Sequence, residues 1–186
     1  IIAELEAAGL RGLGGAGFPT HRKWAAVAAQ EAESKWLICN GNEDEPGTFK
    51  DRYLLQHTPH QVIEGALVAA VATGAEQVVL YVNPRETAAV AVVRAAVAAW
   101  QGHDLLAQVG AAIGRPVALR VAESSGLYIG GEETAAVASV QGGFPFPALK
   151  PPFPAEKGVH GAPTLVNNVE TLAQAGHILA HGAAWY

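Results

Sequence analysis

Four glycines stand within six positions of the segment GLRGLGGAGFPTHRKW: Gly12, Gly14, Gly15 and Gly17. Phe18, Arg22 and Lys23 follow directly. Glycine loses more backbone freedom on folding than any other residue, so a run this dense implies that something must approach the main chain closely. Bare N–H groups suit a phosphate or the face of a flat ring, Phe18 offers a stacking surface and Lys23 a charge. The Gly-Lys-Ser/Thr ending of a triphosphate cradle is absent, and the spacing follows GxGxxG only in its first part. The loop also precedes the first expected strand, where a dinucleotide fingerprint would follow it. A purely structural glycine turn explains this loop equally well by itself.

Two further stretches bear chemistry. CNGNEDEPGTFKDR (39–52) carries Glu43, Asp44 and Glu45 in succession. Like charges make this a poor phosphate site, whereas Asn40, Asn42 and Glu43 suit the hydroxyls of a ribityl or ribose chain. The spacing is not that of a calcium loop, and a solvated acidic turn is the plain alternative. SGLYIGGEET (125–134) leads through Gly130 and Gly131 into Glu132 and Glu133, where a helix dipole stabilises carboxylates. Helix capping accounts for that placement; a ligand beneath Tyr128 and one glutamate accounts for it as well.

These loops need elements to hold them. Helices are expected at 1–9, 21–33, 59–74, 85–102, 104–114, 131–141 and 167–182, the last capped by asparagine. Short apolar runs at 36–40, 76–83 and 116–124 read as strands, and 142–166 as a long connection without a period. Strands alternating with helices imply parallel βαβ units: a Rossmann-like α/β fold, an open and mainly parallel sheet with helices on both faces. Ligands of such sheets sit at the carboxyl ends of the strands.

The 186 residues suit one domain, 1–186, and half of them are hydrophobic. A net charge of −5 without a dense basic cluster argues against nucleic acid, and no apolar run is long enough for membrane insertion. The single cysteine, Cys39, excludes an internal disulfide or a four-cysteine cluster within the chain, and reads as packing. No metal site is expected; His177 and His181 lack a third ligand nearby in sequence. A start at Ile1 and the absence of methionine suggest a piece of a longer protein.

Six motifs in order, GLRGLGGAGFPTHRKW, LICNGNEDEPGTFKDR, PHQVIEGALVAA, GLYIGGEET, LKPPFPA and PTLVNNVETLA, carry a family resemblance. The chain resembles the NADH-oxidising, FMN-bearing subunit of respiratory complex I. It is similar too to the diaphorase subunits of NAD-reducing hydrogenases and NAD-dependent formate dehydrogenases. The resemblance implies that Gly12, Gly14, Lys23, Asn40, Asn42, Glu43, Tyr128, Gly131, Glu132, Asn167, Asn168 and Thr171 line FMN. It implies that Phe18, Glu45, Glu133, Lys150 and Phe153 face NADH. Hydride would pass from NADH to FMN without a catalytic side chain, and electrons would go on to the iron–sulfur subunits of a larger complex, or the reverse. A non-catalytic flavin- or nucleotide-holding module of a redox complex is the alternative.

The family resemblance further implies a β-grasp-like domain and a cysteine-bearing helical bundle with a [4Fe–4S] cluster downstream. It implies a cytoplasmic location, peripheral to the inner membrane as part of a complex. Departures from the complex I pattern are Leu13 for arginine, Asn42 for aspartate, Gly130 for cysteine, Ala148 for arginine and Ala26 for an aromatic. They favour a formate-dehydrogenase-like or other diaphorase branch. Asn42 in place of aspartate would remove a negative charge beside the flavin and raise its potential slightly.

Overall fold

A computed structural model describes residues 1–186. Its elements run α1 (Ile2–Ala8), α2 (Thr20–Ala28), β1 (Trp36–Gly41), α3 (Lys50–His57), α4 (Pro59–Thr73), β2 (Gln77–Val82), α5 (Thr87–Gln101), α6 (Asp104–Ile113), β3 (Ala118–Glu123), α7 (Glu133–Val140), β4 (Thr164–Asn168) and α8 (Val169–His181). The four strands form one all-parallel sheet in the order β3-β2-β1-β4. The expected α/β sheet is therefore present, with helices on both faces. No helix is long and apolar enough to cross a membrane.

Alternation along β1 divides the core. Leu37 and Cys39 join Val78, Leu80, Val82 and Leu165 in the larger cluster, packed by α4, α5 and α8. Ile38 points the other way, with Tyr81, Val166 and the α7 residues Ala136 and Val137. This second face is only partly covered, and the cavity opens on it.

Three elements differ from the sequence expectation. The strand β4 takes the end of the connection 142–166 with Asn167 and Asn168 of the expected last helix, α3 rises inside the acidic loop, and α2 stops at Ala28, short of residue 33. The chain runs outward from β1 to β2 and β3, then returns to place β4 on the far side of β1. The strand order thus reverses between β1 and β4, and a crevice opens at their carboxyl ends.

Candidate functional site

The glycine loop is pinched at its neck. The Gly12 N–H donates to the Phe18 carbonyl at 2.8 Å, the Thr20 N–H to the Leu10 carbonyl at 3.0 Å, and Arg11 bridges Pro19. Gly15 and Gly17, at φ 106° and 61°, take backbone conformations that L side chains avoid. The Leu13 N–H donates to Thr171 Oγ1 at 2.9 Å and ties the loop to α8, while the N–H groups of 14–17 make no hydrogen bond of good geometry within the protein. Behind the loop, buried Trp24 on α2 donates to Asn167 Oδ1 at 2.9 Å.

One cavity of about 640 Å³ brings the loops together. Its wall includes Gly12, Gly14 and Phe18 from the glycine loop, Lys23 from α2, Asn40 from β1, and Gly131, Glu132 and Glu133 from the start of α7. Lys150 and Phe153 contribute from the proline-rich connection, and Asn167, Asn168 and Thr171 from β4 and α8. Asn40 donates to the Gly131 carbonyl at 2.8 Å, joining the β1 end to the α7 turn. Phe18 and Phe153 are about half exposed at the mouth, with the Arg22 guanidinium 5.8 Å from the Phe18 ring centre.

Four charged side chains of the wall pair with one another. Lys23 Nζ lies 2.8 Å from Glu133 and also donates to the Val166 carbonyl; Lys150 Nζ lies 2.9 Å from Glu132 and 2.7 Å from Glu133. Burial works to raise the Glu133 carboxyl, but Lys23 and Lys150 outweigh it and hold it below the ordinary range. Burial acts likewise on Glu132, where Thr134 and Lys150 prevail. The other Glu132 oxygen accepts from the Thr134 and Ala135 N–H groups, so Glu132 both caps α7 and faces the cavity.

Four residues expected to line a ligand stand outside the cavity wall: Asn42, Glu43, Glu45 and Tyr128. Asn42 is nearly buried, accepts from Ser124 Oγ, and donates from Nδ2 to the Leu127 carbonyl at 3.1 Å. Its amide, not merely its lack of charge, is what the 125–131 loop uses. Glu43 is buried and accepts from the N–H groups of Asp51 and Arg52, closing the start of α3. Glu45 accepts from the Tyr128 hydroxyl, and this bond pushes the phenol pKa up. Cys39 is buried, and burial, then Asp51, pushes its thiol far above the usual range.

The cavity also has walls that the motifs did not announce. Ala26 and Gln30 fall three and seven positions after Lys23, a helical spacing that would have placed all three on one face. Thr20, 1% exposed, lines the cavity with a hydroxyl that has no partner. Glycines without Cβ atoms, unpartnered N–H groups, two lysines and the start of α8 together fit a ligand with a flat ring and phosphate. FMN has that chemistry.

Comparison with known proteins agrees. Residues 5–177 match the model of the family described as the Nuo51 FMN-binding domain. The chain is 42% identical over its whole length to a subunit of the NADH-quinone oxidoreductase of Rhizobium meliloti (strain 1021), covering 44% of that protein. It is 41% identical to the corresponding NADH-quinone oxidoreductase subunit of Aquifex aeolicus (strain VF5), over 98% of the chain and 42% of that protein. A crystal structure of an NAD+-reducing [NiFe]-hydrogenase in the H2-reduced state superposes with a TM-score of 0.88 at 40% identity, over the whole chain and 31% of that one. The chain thus spans less than half the length of these relatives. With the family model matched over residues 5–177, the chain belongs to the Nuo51 FMN-binding domain family.

Proposed function

We propose that the cavity at the β1–β4 switch point holds FMN and NADH together, as the NADH-oxidising site of a larger redox complex. The observation that carries the reading is the convergence on one crevice of a side-chain-free loop, two lysines and the asparagines of two strand ends. Bound there, FMN would supply the chemistry, taking a hydride from NADH and releasing electrons singly. The protein's part is to bind and orient, which removes the entropic share of the barrier.

Gly12, Gly14, Asn40, Gly131, Asn167, Asn168 and Thr171 would hold the flavin, with Lys23 and Glu132 at its edge. Asn42 and Glu43 would support that wall from behind. Phe18 and Phe153 would stack on the second nucleotide beside Glu133 and Lys150, with the Tyr128–Glu45 pair at the rim. The paired lysines and glutamates satisfy each other in the free protein, so a ligand phosphate would compete with a carboxylate for each ammonium. Electrons would leave to iron–sulfur centres in partner subunits, or arrive from them.

Purified protein stripped of flavin, mixed with FMN and given NADH without oxygen, tests the reading. Retention of FMN followed by bleaching of its visible band is the expected result. FMN held without bleaching would leave only a binding module, and no retention would refute the site.

A further inference from the structure

Asn168 is where three parts of the molecule meet at the cavity wall. It closes β4 and caps α8, and Gly14 lies so near that an added methyl would stand 3.1 Å from the Asn168 Cβ. Its amide orientation follows from a donor that cannot be reversed: the Glu170 backbone N–H donates to Oδ1 at 3.0 Å. Lys50 donates to the same oxygen at 3.1 Å. Nδ2 therefore turns toward Asp51 and donates to its Oδ2 at 2.5 Å. An amide nitrogen carries two hydrogens, so one N–H is the polar capacity this side chain has left for the cavity it lines.

Asp51 itself does not reach the cavity. It is 4% exposed in the first turn of α3, and its second oxygen accepts from Lys50 at 2.7 Å. Lys50 also pairs with Glu170 at 3.1 Å, and Glu43 fixes the start of α3 by accepting from the Asp51 and Arg52 N–H groups. Burial pushes the Asp51 carboxyl up and Glu43 adds to it, against Lys50 and Asn168. A site that needed only packing would gain as much from an apolar side chain as from a buried aspartate paired with a half-buried lysine. What the pair supplies is polarity: a donor for one end of the Asn168 amide and an acceptor for the other.

We propose that Asp51 and Lys50 are positioning residues of the flavin site, acting on Asn168 together with the Glu170 N–H to hold an N–H rather than a carbonyl toward the bound group. This rests on the FMN reading above and deepens it: the flavin ring carbonyls and the phosphate are acceptors that such an N–H would meet.

A reciprocal exchange tests it in flavin-stripped protein, with FMN dissociation constants from fluorescence quenching and thermal midpoints of the ligand-free variants. Asp51→Asn leaves one carbonyl oxygen for two donors, Asn168 Nδ2 and Lys50, so one of them meets an amide nitrogen; the variant is expected to have a lower midpoint and to bind FMN roughly tenfold or more weakly. Asp51→Asn with Asn168→Asp restores a matched donor and acceptor, since residue 168 still accepts from Lys50 and the Glu170 N–H. It should recover the midpoint while FMN stays weakly held, because residue 168 no longer offers an N–H. FMN affinity restored by the exchange would show a packing role and overturn the proposal, as would Asp51→Asn binding like the parent. An exchange variant that fails to fold also overturns it. If Asp51→Asn alone does not fold, the exchange variant decides by the same criterion. A parent protein that binds no FMN overturns the flavin reading and this proposal together; a parent that binds with unchanged variants overturns this one alone.

Discussion

At the scale of single residues, what matters is which hydrogen-bonding capacity is already used. Asn42 spends its amide N–H on the Leu127 carbonyl and its oxygen on Ser124. Asn42→Asp would set a carboxylate oxygen against that carbonyl, so it should cost about 1–3 kcal/mol and speed hydrogen exchange at residues 127–131. An unchanged urea midpoint would contradict this, and any change in flavin potential in that variant would carry the loop's displacement as well as the charge. Lys23→Met leaves Glu133 with Lys150 alone and the Val166 carbonyl without its donor. Roughly tenfold weaker FMN binding is expected, an effect of about 1.4 kcal/mol, read by titration at two salt concentrations. The sequence reads Glu43 as suited to ribityl or ribose hydroxyls and the resemblance gives Glu45 to NADH, but neither says which protein group each of the three successive carboxylates meets. In the fold Glu43 closes a helix, Asp44 stands 3.4 Å from Arg85 and Glu45 takes the Tyr128 hydroxyl, because each faces a different neighbour.

At the scale of elements, strong periodicity announced α4, α5 and α8, while α3 and β4 went unannounced for identifiable reasons. The start of α3 is closed by Glu43 from outside the helix, not by a local cap. The strand β4 has five residues, and its last one already caps α8, so no turn separates them. Only pairing with β1, from Trp36–Thr164 to Asn40–Asn168, makes it a strand. Helices α4 and α8 cross at glycine: a methyl on Gly65 would stand 1.9 Å from the Leu172 carbonyl oxygen. Gly65→Ala should force the helices apart and cost about 3 kcal/mol, visible as a lower urea midpoint. Lys35, 8% exposed, donates to the carbonyls of Val27, Ala28 and Thr73 at the ends of α2 and α4. Lys35→Met would strand those carbonyls at a similar cost of about 3 kcal/mol, with α2 and α4 end amides exchanging faster.

At the scale of the whole molecule, the charges around the cavity set how stability follows pH. Glu132 and Glu133 are held below the ordinary carboxylate range in the fold, so their ionised forms stabilise it. That contribution is full above the unfolded glutamate value of about 4.3 and is lost as pH falls through the depressed folded values. Asp51 has the opposite sign: its pKa is raised, so its ionised form costs stability above that value and acid relieves the cost. Lys150 is raised against its own burial by Glu133 and Glu132, and its contribution is lost as pH climbs through its folded value. Urea unfolding of ligand-free protein should weaken in acid, and Glu133→Gln should flatten that limb; an identical acid limb in the variant would contradict the assignment. The order of motifs, the chemistry of the three loops and the alternation of strand and helix were set by the sequence alone, because periodicity and local composition act over a few residues. The return of β4 beside β1, and the partners that hold each polar side chain, were decided by the tertiary structure. Lys23 meets Glu133 across 110 positions and Asn168 meets Asp51 across 117, and at that separation only packing of the sheet and its helices selects who accepts from whom.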